Sequence, residues 1–466
     1  MGGQIQSKFQ TFPIRCSDYV HPWCQSCSAA SAGLFMDSVQ QSFRIYFTAY
    51  LLALLMKGRV PSKQDLRRTI SGIIQSTFFL TCHAFGFSMT ICTMRRLCGS
   101  FNVATVAFVP CLISSLGAIL VERPSRRSLL SLYVTNIASE TVFRMLTSRG
   151  YITPIPLGEV IIFATSMATL AYFYKTSTNK DDSIYSLLRF VVGKEEQYGY
   201  TDTDPLNSAN NAVATKSSLL TFLYDKLNRQ FSTSSVCPHP DSCVAYALQG
   251  GGKLFSVGLG LEFCLKLLLN MKRIIRRPTT VANVLMRPST LRLGGFLGGF
   301  STIFRAVSCT LRRHFGSDSK NFAIPAGLLA SLAFCLYKDN TIALYVFWKT
   351  LQILYVLHSA RGTLPTVPHA SVLFHCVSTA ILFHAAIFEP HNLRPSYWKF
   401  LHAVSGGRFA VMDRQHLGTY APRALESLAV IWGFFKKKSV FWGFFGARWG
   451  FFVKAIWQPC CLSVCL

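Results

Sequence analysis

Cys92-Thr93-Met94-Arg95-Arg96-Leu97-Cys98-Gly99-Ser100 returns further along the chain as Cys309-Thr310-Leu311-Arg312-Arg313-His314-Phe315-Gly316-Ser317, with six of nine positions identical. The shared residues are Cys, Thr, Arg, Gly and Ser, not the aliphatics that any two apolar stretches have in common. Downstream, Arg149-Gly150 followed by Pro156, Val160 and Ser166 recurs in register as Arg361-Gly362, Pro368, Val372 and Ser378. Upstream, His21-Pro22 with Cys24 is echoed by His239-Pro240 with Cys243. The order of the pieces is kept, so the spacing predicts a duplicated unit, with halves at about 13–175 and 235–388.

Composition fixes the medium. Of the 466 residues, 50% are hydrophobic, 13% aromatic and only 14% charged, and mean hydropathy is +0.33. A soluble domain carries about 25% charged residues, so a water-facing surface could not be covered here. Disorder, a collagen-like chain and a disulfide scaffold are excluded on the same grounds. Each half offers one short apolar segment (43–56; 254–269) and four longer ones: 70–94, 101–121, 128–147 and 157–174, then 293–311, 321–337, 341–357 and 370–389. A bilayer crossing needs about 20 apolar residues, so the short segments are expected to lie along the interface.

The expected architecture is all-α and polytopic, with two tandem repeats of about four transmembrane helices each plus short interfacial helices. Residues 1–42 form a Cys-rich N-terminal segment, 43–175 the first transmembrane repeat, 176–234 a polar linker expected in water, 235–388 the second repeat, and 389–466 a basic, aromatic tail. The formal charge of +27 sits largely in short loops beside apolar segments, which suits lipid headgroups and not nucleic acid. The equivalent basic loops, Lys57, Arg59, Lys63, Arg67 and Arg68 against Lys272, Arg273, Arg276, Arg277, Arg287 and Arg292, favour four crossings per half if both face one compartment.

Within 128–148, Asn136, Glu140 and Arg144 fall on one helical stripe, so the two charges can pair at i, i+4. Charge at that depth is either functional or a clamp between helices; the aligned Trp348, Gln352 and Val356 carry none, so any charge-dependent role belongs to the first half. Gly294, Gly295, Gly298 and Gly299 make two overlapping GxxxG steps, and Gly327 with Ser331 a further small-residue step, which predicts close helix packing. A lipid or metabolite path between the repeats is the alternative.

Cys16, His21, Cys24 and Cys27 fall close together and include one CxxC; such a set can hold Zn²⁺ tetrahedrally. The second half retains only Cys237, His239 and Cys243, and no second knuckle follows, so the segment reads as a Cys- and Pro-stiffened cap, with no metal and no cofactor expected. His369, His375 and His384 form no HxxxH or HxxHH box, and GxSxG, Walker and HExxH motifs are missing, so no catalytic residue is assigned. No secretory signal opens the chain, and the tail ends without an SKL address; its three Trp-Gly-Phe-Phe units, at 432, 442 and 449, read either as an interfacial anchor or as a mis-predicted exon.

Several strings resemble the transmembrane protein 135 family, also called a peroxisomal membrane protein family. They are Pro13-Ile14-Arg15-Cys16 with His21-Pro22-Trp23-Cys24, Asn136 to Met145 with Arg149-Gly150, Gly158-Glu159-Val160, Arg189 to Glu196, Leu393-Arg394-Pro395-Ser396-Tyr397-Trp398-Lys399-Phe400 and Phe409 to Met412. The resemblance covers about 13–417 and extends distantly to four-span channel subunits of mitochondrial import translocases. It implies a non-enzymatic multi-pass protein of peroxisomal and mitochondrial membranes. It further implies a role promoting dynamin-type mitochondrial fission and influencing peroxisomal and fatty-acid metabolism. Membrane lipids and the fission machinery are the implied partners.

Overall fold

A computed structural model describes residues 11–56, 61–176, 183–197, 236–240, 242–277 and 288–417; among these the regular elements are all helices, joined by turns and loops, and one isolated bridge links Phe12 and Phe101. The helices are α1 (Cys16–Tyr19), α2 (Cys27–Met56), α3 (Lys63–Cys98), α4 (Val109–Val121), α5 (Pro124–Ser148), α6 (Gly158–Thr176) and α7 (Ser183–Val192). They continue as α8 (Cys243–Arg276), α9 (Leu291–Phe315), α10 (Ala323–Ala330), α11 (Asn340–Ala360), α12 (Ala370–Phe388), α13 (Pro395–Val404) and α14 (Arg408–Val411). One wider π-helical turn, Ala104–Phe108, leads into α4, and 3₁₀ turns flank α10.

Local chemistry sets the ends. Ser62 and Asp65 form a reciprocal capping box at the start of α3, satisfying two backbone donors that the first turn leaves open. Pro124 and Pro395 occupy the first positions of α5 and α13, where a missing N–H costs nothing. The repeated Arg-Gly pair is a terminator: Arg149 and Arg361 cap α5 and α11, and Gly150 and Gly362 follow at φ 79° and 73°, the left-handed conformation that glycine adopts without Cβ strain.

The chain divides into two compact units that are not the halves drawn from the sequence. One takes the described residues up to Pro154 together with those from Gly362 onward; the other is Ile155–Arg361. In the first, α12 packs on α4 and α5, burying Ala380, Leu382, Ala385, Ala386 and Ile387 completely. In the second, α6 packs on α10 and α11, and Phe163 stacks on Phe334 at 4.3 Å between ring centroids. The helix that closes each sequence half therefore sits in the unit built from the other half.

Among the described residues, four helical stretches are long and apolar enough to cross a membrane: Lys63–Cys98, Ala104–Val121, Asn340–Ala360 and Ala370–Phe388. The expectation of about eight is thus met in part, by four. Segments around α5 and α9 became helices, but Arg126, Arg127, Glu140 and Arg144 on one and Arg292, Arg305, Arg312 and Arg313 on the other reduce their apolarity. The Lys320–Leu336 stretch is apolar but short. The segments expected to be short are instead long, because the Ser-, Ala- and Gly-containing stretches before them join the helix and pack: α2 spans 30 residues against α3, and α8 spans 34 against α9.

Two further expectations change. Within the supposed water-facing linker, α7 buries Ile184, Tyr185, Leu188 and Val192 in the core of the second unit. Within the supposed tail, residues 389–417 complete the first unit, with Trp398, Leu401, Phe409 and Met412 in its core. The three Trp-Gly-Phe-Phe units, together with Lys57, Arg59 and Arg287, lie outside the described residues.

Candidate functional site

Glu140, on the buried face of α5, is the hub of a charged network in the first unit. Its carboxylate accepts from Arg144 at 2.5 Å and from Arg394, which precedes α13. Glu140 is 7% exposed, whereas the Arg144 side chain is 40% exposed. The i, i+4 pair expected from the sequence is thus present, and a third member, Arg394, comes from a remote part of the chain. Asn136 lies one turn earlier and is buried. At the end of the same helix Arg149 pairs with Glu389, whose other carboxylate oxygen accepts from Asn392 at 2.8 Å; Asn392 also donates to Ser148 at 3.0 Å. The network ties α5 to the connection between α12 and α13. Pro395 starts α13, and Tyr397 and Trp398 anchor it in the core.

Arg149 stands in one of the most recognisable strings of the sequence, yet its side chain is 51% exposed. Exposed pairs contribute under about 1 kcal/mol, because solvent screens them and long side chains lose entropy. Arg149→Ala is therefore expected to leave thermal unfolding nearly unchanged, and a loss above about 2 kcal/mol would show the contact to be effectively buried.

The second unit holds a deeper network that sequence reading missed. Arg312, fully buried, donates from Nη1 to Glu196 at 2.8 Å and from Nη2 to the other carboxylate oxygen, and from Nε to Asp318 at 3.0 Å. Lys175 reaches Asp318 at 2.6 Å and Glu196 at 3.8 Å. Burial works against the Asp318 carboxylate, but the hydrogen bond from Lys175 and the Arg312 guanidinium outweigh it and hold its pKa below the usual aspartate range. A lowered folded-state pKa contributes stability above the ordinary aspartate value and loses it as pH falls through the lowered one. The signal was the Arg312-Arg313 pair in the duplicated string, but nothing local named Glu196 as its partner.

The glycines assigned to packing divide between two faces of α9. A Cβ at Gly294 would lie 3.0 Å from the Phe255 carbonyl, and one at Gly298 would lie 2.9 Å from that of Gly251, both on α8. Gly295 and Gly299 face Leu336 and Ala333 at ordinary or slightly tight distances, and Gly327 meets the backbone of Ala168 on α6 at 2.9 Å. No described arrangement unites the three histidines considered for iron: His375 lies beside Phe79, His384 beside Phe388, and His369 precedes α12 with φ 56°.

The N-terminal Cys and His residues do converge, though not as the CxxC suggested. Cys16, His21 and Cys27 meet Cys92 of α3, whereas the Cys24 thiol turns to the Ser26 carbonyl at 3.6 Å. The Cys16 thiol is brought down to about 7, chiefly by its hydrogen bond with Cys92. In the second unit Cys237, His239 and Cys243 meet Cys309 of α9 in the same way.

Residues 13–147 match the family model described as the N-terminal cysteine-rich region of Transmembrane protein 135. That match supports the resemblance of this part of the chain to the transmembrane protein 135 family. The matched segment contains the first Cys/His group and the Glu140–Arg144 pair; Arg394 and the second Cys/His group lie beyond it. No solved structure matches the chain. The likeness to a transmembrane protein agrees with the outward-facing apolar residues of the candidate spans: Leu66, Ile70, Ile74 and Phe78 form an exposed stripe along α3, next to Lys63 and Arg67. Such a stripe suits lipid, with the basic groups at the headgroup level.

Proposed function

We propose that the chain is a non-enzymatic, multi-pass protein of peroxisomal and mitochondrial membranes that promotes dynamin-type mitochondrial fission and influences peroxisomal and fatty-acid metabolism. The family match over residues 13–147 is the observation that carries this reading. The four apolar helices and the lipid-suited face of α3 support the membrane part. A carrier for lipid or metabolite is the other reading. It would require Glu140 and Arg144 to line a path, but the Glu140 carboxylate is engaged by two guanidinium groups, as a clamp between helices would be.

The test is mitochondrial network length and peroxisome number in cells lacking the protein, rescued at matched expression and targeting. On the regulatory reading, wild type and a Glu140→Gln, Arg144→Met double variant both restore the network, whereas a chain deleted for 198–234 does not. If the double variant reaches the membrane but leaves mitochondria elongated while the deletion rescues, the carrier reading replaces it. If wild type alters neither organelle, the regulatory role is wrong.

A further inference from the structure

The two Cys/His groups have a common construction. In each, a short segment supplies a Cys and a His (Cys16 and His21; Cys237 and His239), the first residue of a long helix supplies a second Cys (Cys27 of α2; Cys243 of α8), and the Cys of the duplicated Cys-Thr-x-Arg-Arg string supplies the third (Cys92 of α3; Cys309 of α9). In each group the four ligand atoms all lie within 4.8 Å of one another.

Distances and hydrogen bonding both suit a metal. Tetrahedral Zn²⁺ with Zn–S of ~2.3 Å and Zn–N of ~2.0 Å places two sulfurs about 3.8 Å apart and sulfur and nitrogen about 3.5 Å apart. Cys237 Sγ and Cys243 Sγ stand 3.8 Å apart, and His Nε2 to Cys Sγ is 3.3 Å for His21–Cys27 and 3.2 Å for His239–Cys309. The His21 Nδ1–H donates to the Cys24 carbonyl at 2.6 Å, since a carbonyl can only accept. In the neutral ring that bond leaves the lone pair on Nε2, which faces the thiol cluster, the outer-sphere arrangement that metal-bound histidines use. The His239 ring stacks on Tyr246 at 4.2 Å.

We propose that the chain carries two structural Zn²⁺ sites, one formed by Cys16, His21, Cys27 and Cys92 and the other by Cys237, His239, Cys243 and Cys309. Three thiolates and one imidazole are a donor set that selects zinc over hard cations, and four protein ligands leave no open position, so the sites are structural and not catalytic. Each ion would pin the segment ahead of a long helix to the following helix, tying α2 to α3 and α8 to α9. The inference does not depend on the fission role.

The test is elemental analysis of the purified full-length protein. Two zinc ions per chain are expected in wild type and in Cys24→Ser, one in Cys92→Ser or Cys309→Ser, and none when both are replaced. Because a serine substitution can also unfold the chain, the wild type is separately reloaded with Co²⁺, and thiolate-to-cobalt charge transfer with tetrahedral d–d bands is expected. Wild-type protein devoid of zinc that takes up no Co²⁺ in this form, a disulfide within either group, another metal in place of zinc, or loss of zinc in Cys24→Ser with retention in Cys92→Ser would overturn the proposal.

Discussion

Arg312→Met is expected to destabilise the second unit by about 3 kcal/mol, the low end of the range for removing one partner of a buried ion pair. Glu196, 2% exposed, would be left in the interior with, among the described residues, only Lys175 at 3.8 Å to compensate its charge. The readout is thermal unfolding in detergent, where a shift of roughly 6–12 °C corresponds to that loss for a unit of this size. The companion is the Arg312→Met, Glu196→Met double variant. Replacing both charges with apolar groups removes the desolvation cost along with the attraction, so the double variant is expected to recover most of the loss. If the double variant is as unstable as the single one, the cost lies in packing, and the account of the network as a buried charge pair fails.

The second large effect concerns one face of α9. A side chain at Gly298 would meet the Gly251 carbonyl at 2.9 Å and Phe255 Cβ at 2.9 Å, and neither backbone nor a Cβ can rotate away. Gly298→Val therefore forces α8 and α9 apart, with an expected loss of about 3 kcal/mol, the upper end of ordinary overpacking. Gly295→Ala is the control, because its Cβ would stop 3.4 Å from the mobile end of Leu336, and alanine gains about 1 kcal/mol of helix propensity over glycine. The pair should separate clearly in a thermal melt. Equal tolerance would mean that the α8–α9 contact yields easily and that the overlapping GxxxG steps do not distinguish two faces.

Sequence periodicity located most of the helices because apolar runs and terminator glycines are local signals. Gly99, Gly150, Gly316 and Gly362 end helices at positive φ, and their place in the repeated strings is visible in the sequence. Non-local pairings were another matter. The Glu140–Arg144 stripe is legible because its members are four residues apart; Arg394 and Glu196 are not, because their partners lie far away in the chain. The Cys/His groups show the same limit. Local spacing favours Cys24 through its CxxC, yet the fourth member is Cys92, delivered by a helix that the chain reaches only later. The clue available was that Cys92 and Cys309 open the duplicated strings while both halves keep a His and two further Cys nearby. Burial of α7 was hidden for a different reason: ten amphipathic residues inside a polar region do not stand out as an apolar run, although Ile184, Leu188 and Val192 repeat at helical spacing.

The discontinuity of the first unit has a consequence for biosynthesis. Ile155–Arg361 is contiguous, so that unit can close as soon as its own last residues leave the ribosome. The segment before it cannot: α4 and α5 lack the helix that fills their shared groove until α12 is made, and the Trp398 anchor comes later still. Domains ordinarily mature from the N-terminus during translation. Here the portion synthesised first is completed last, and throughout elongation of the intervening stretch its apolar groove needs cover from lipid or an insertion factor.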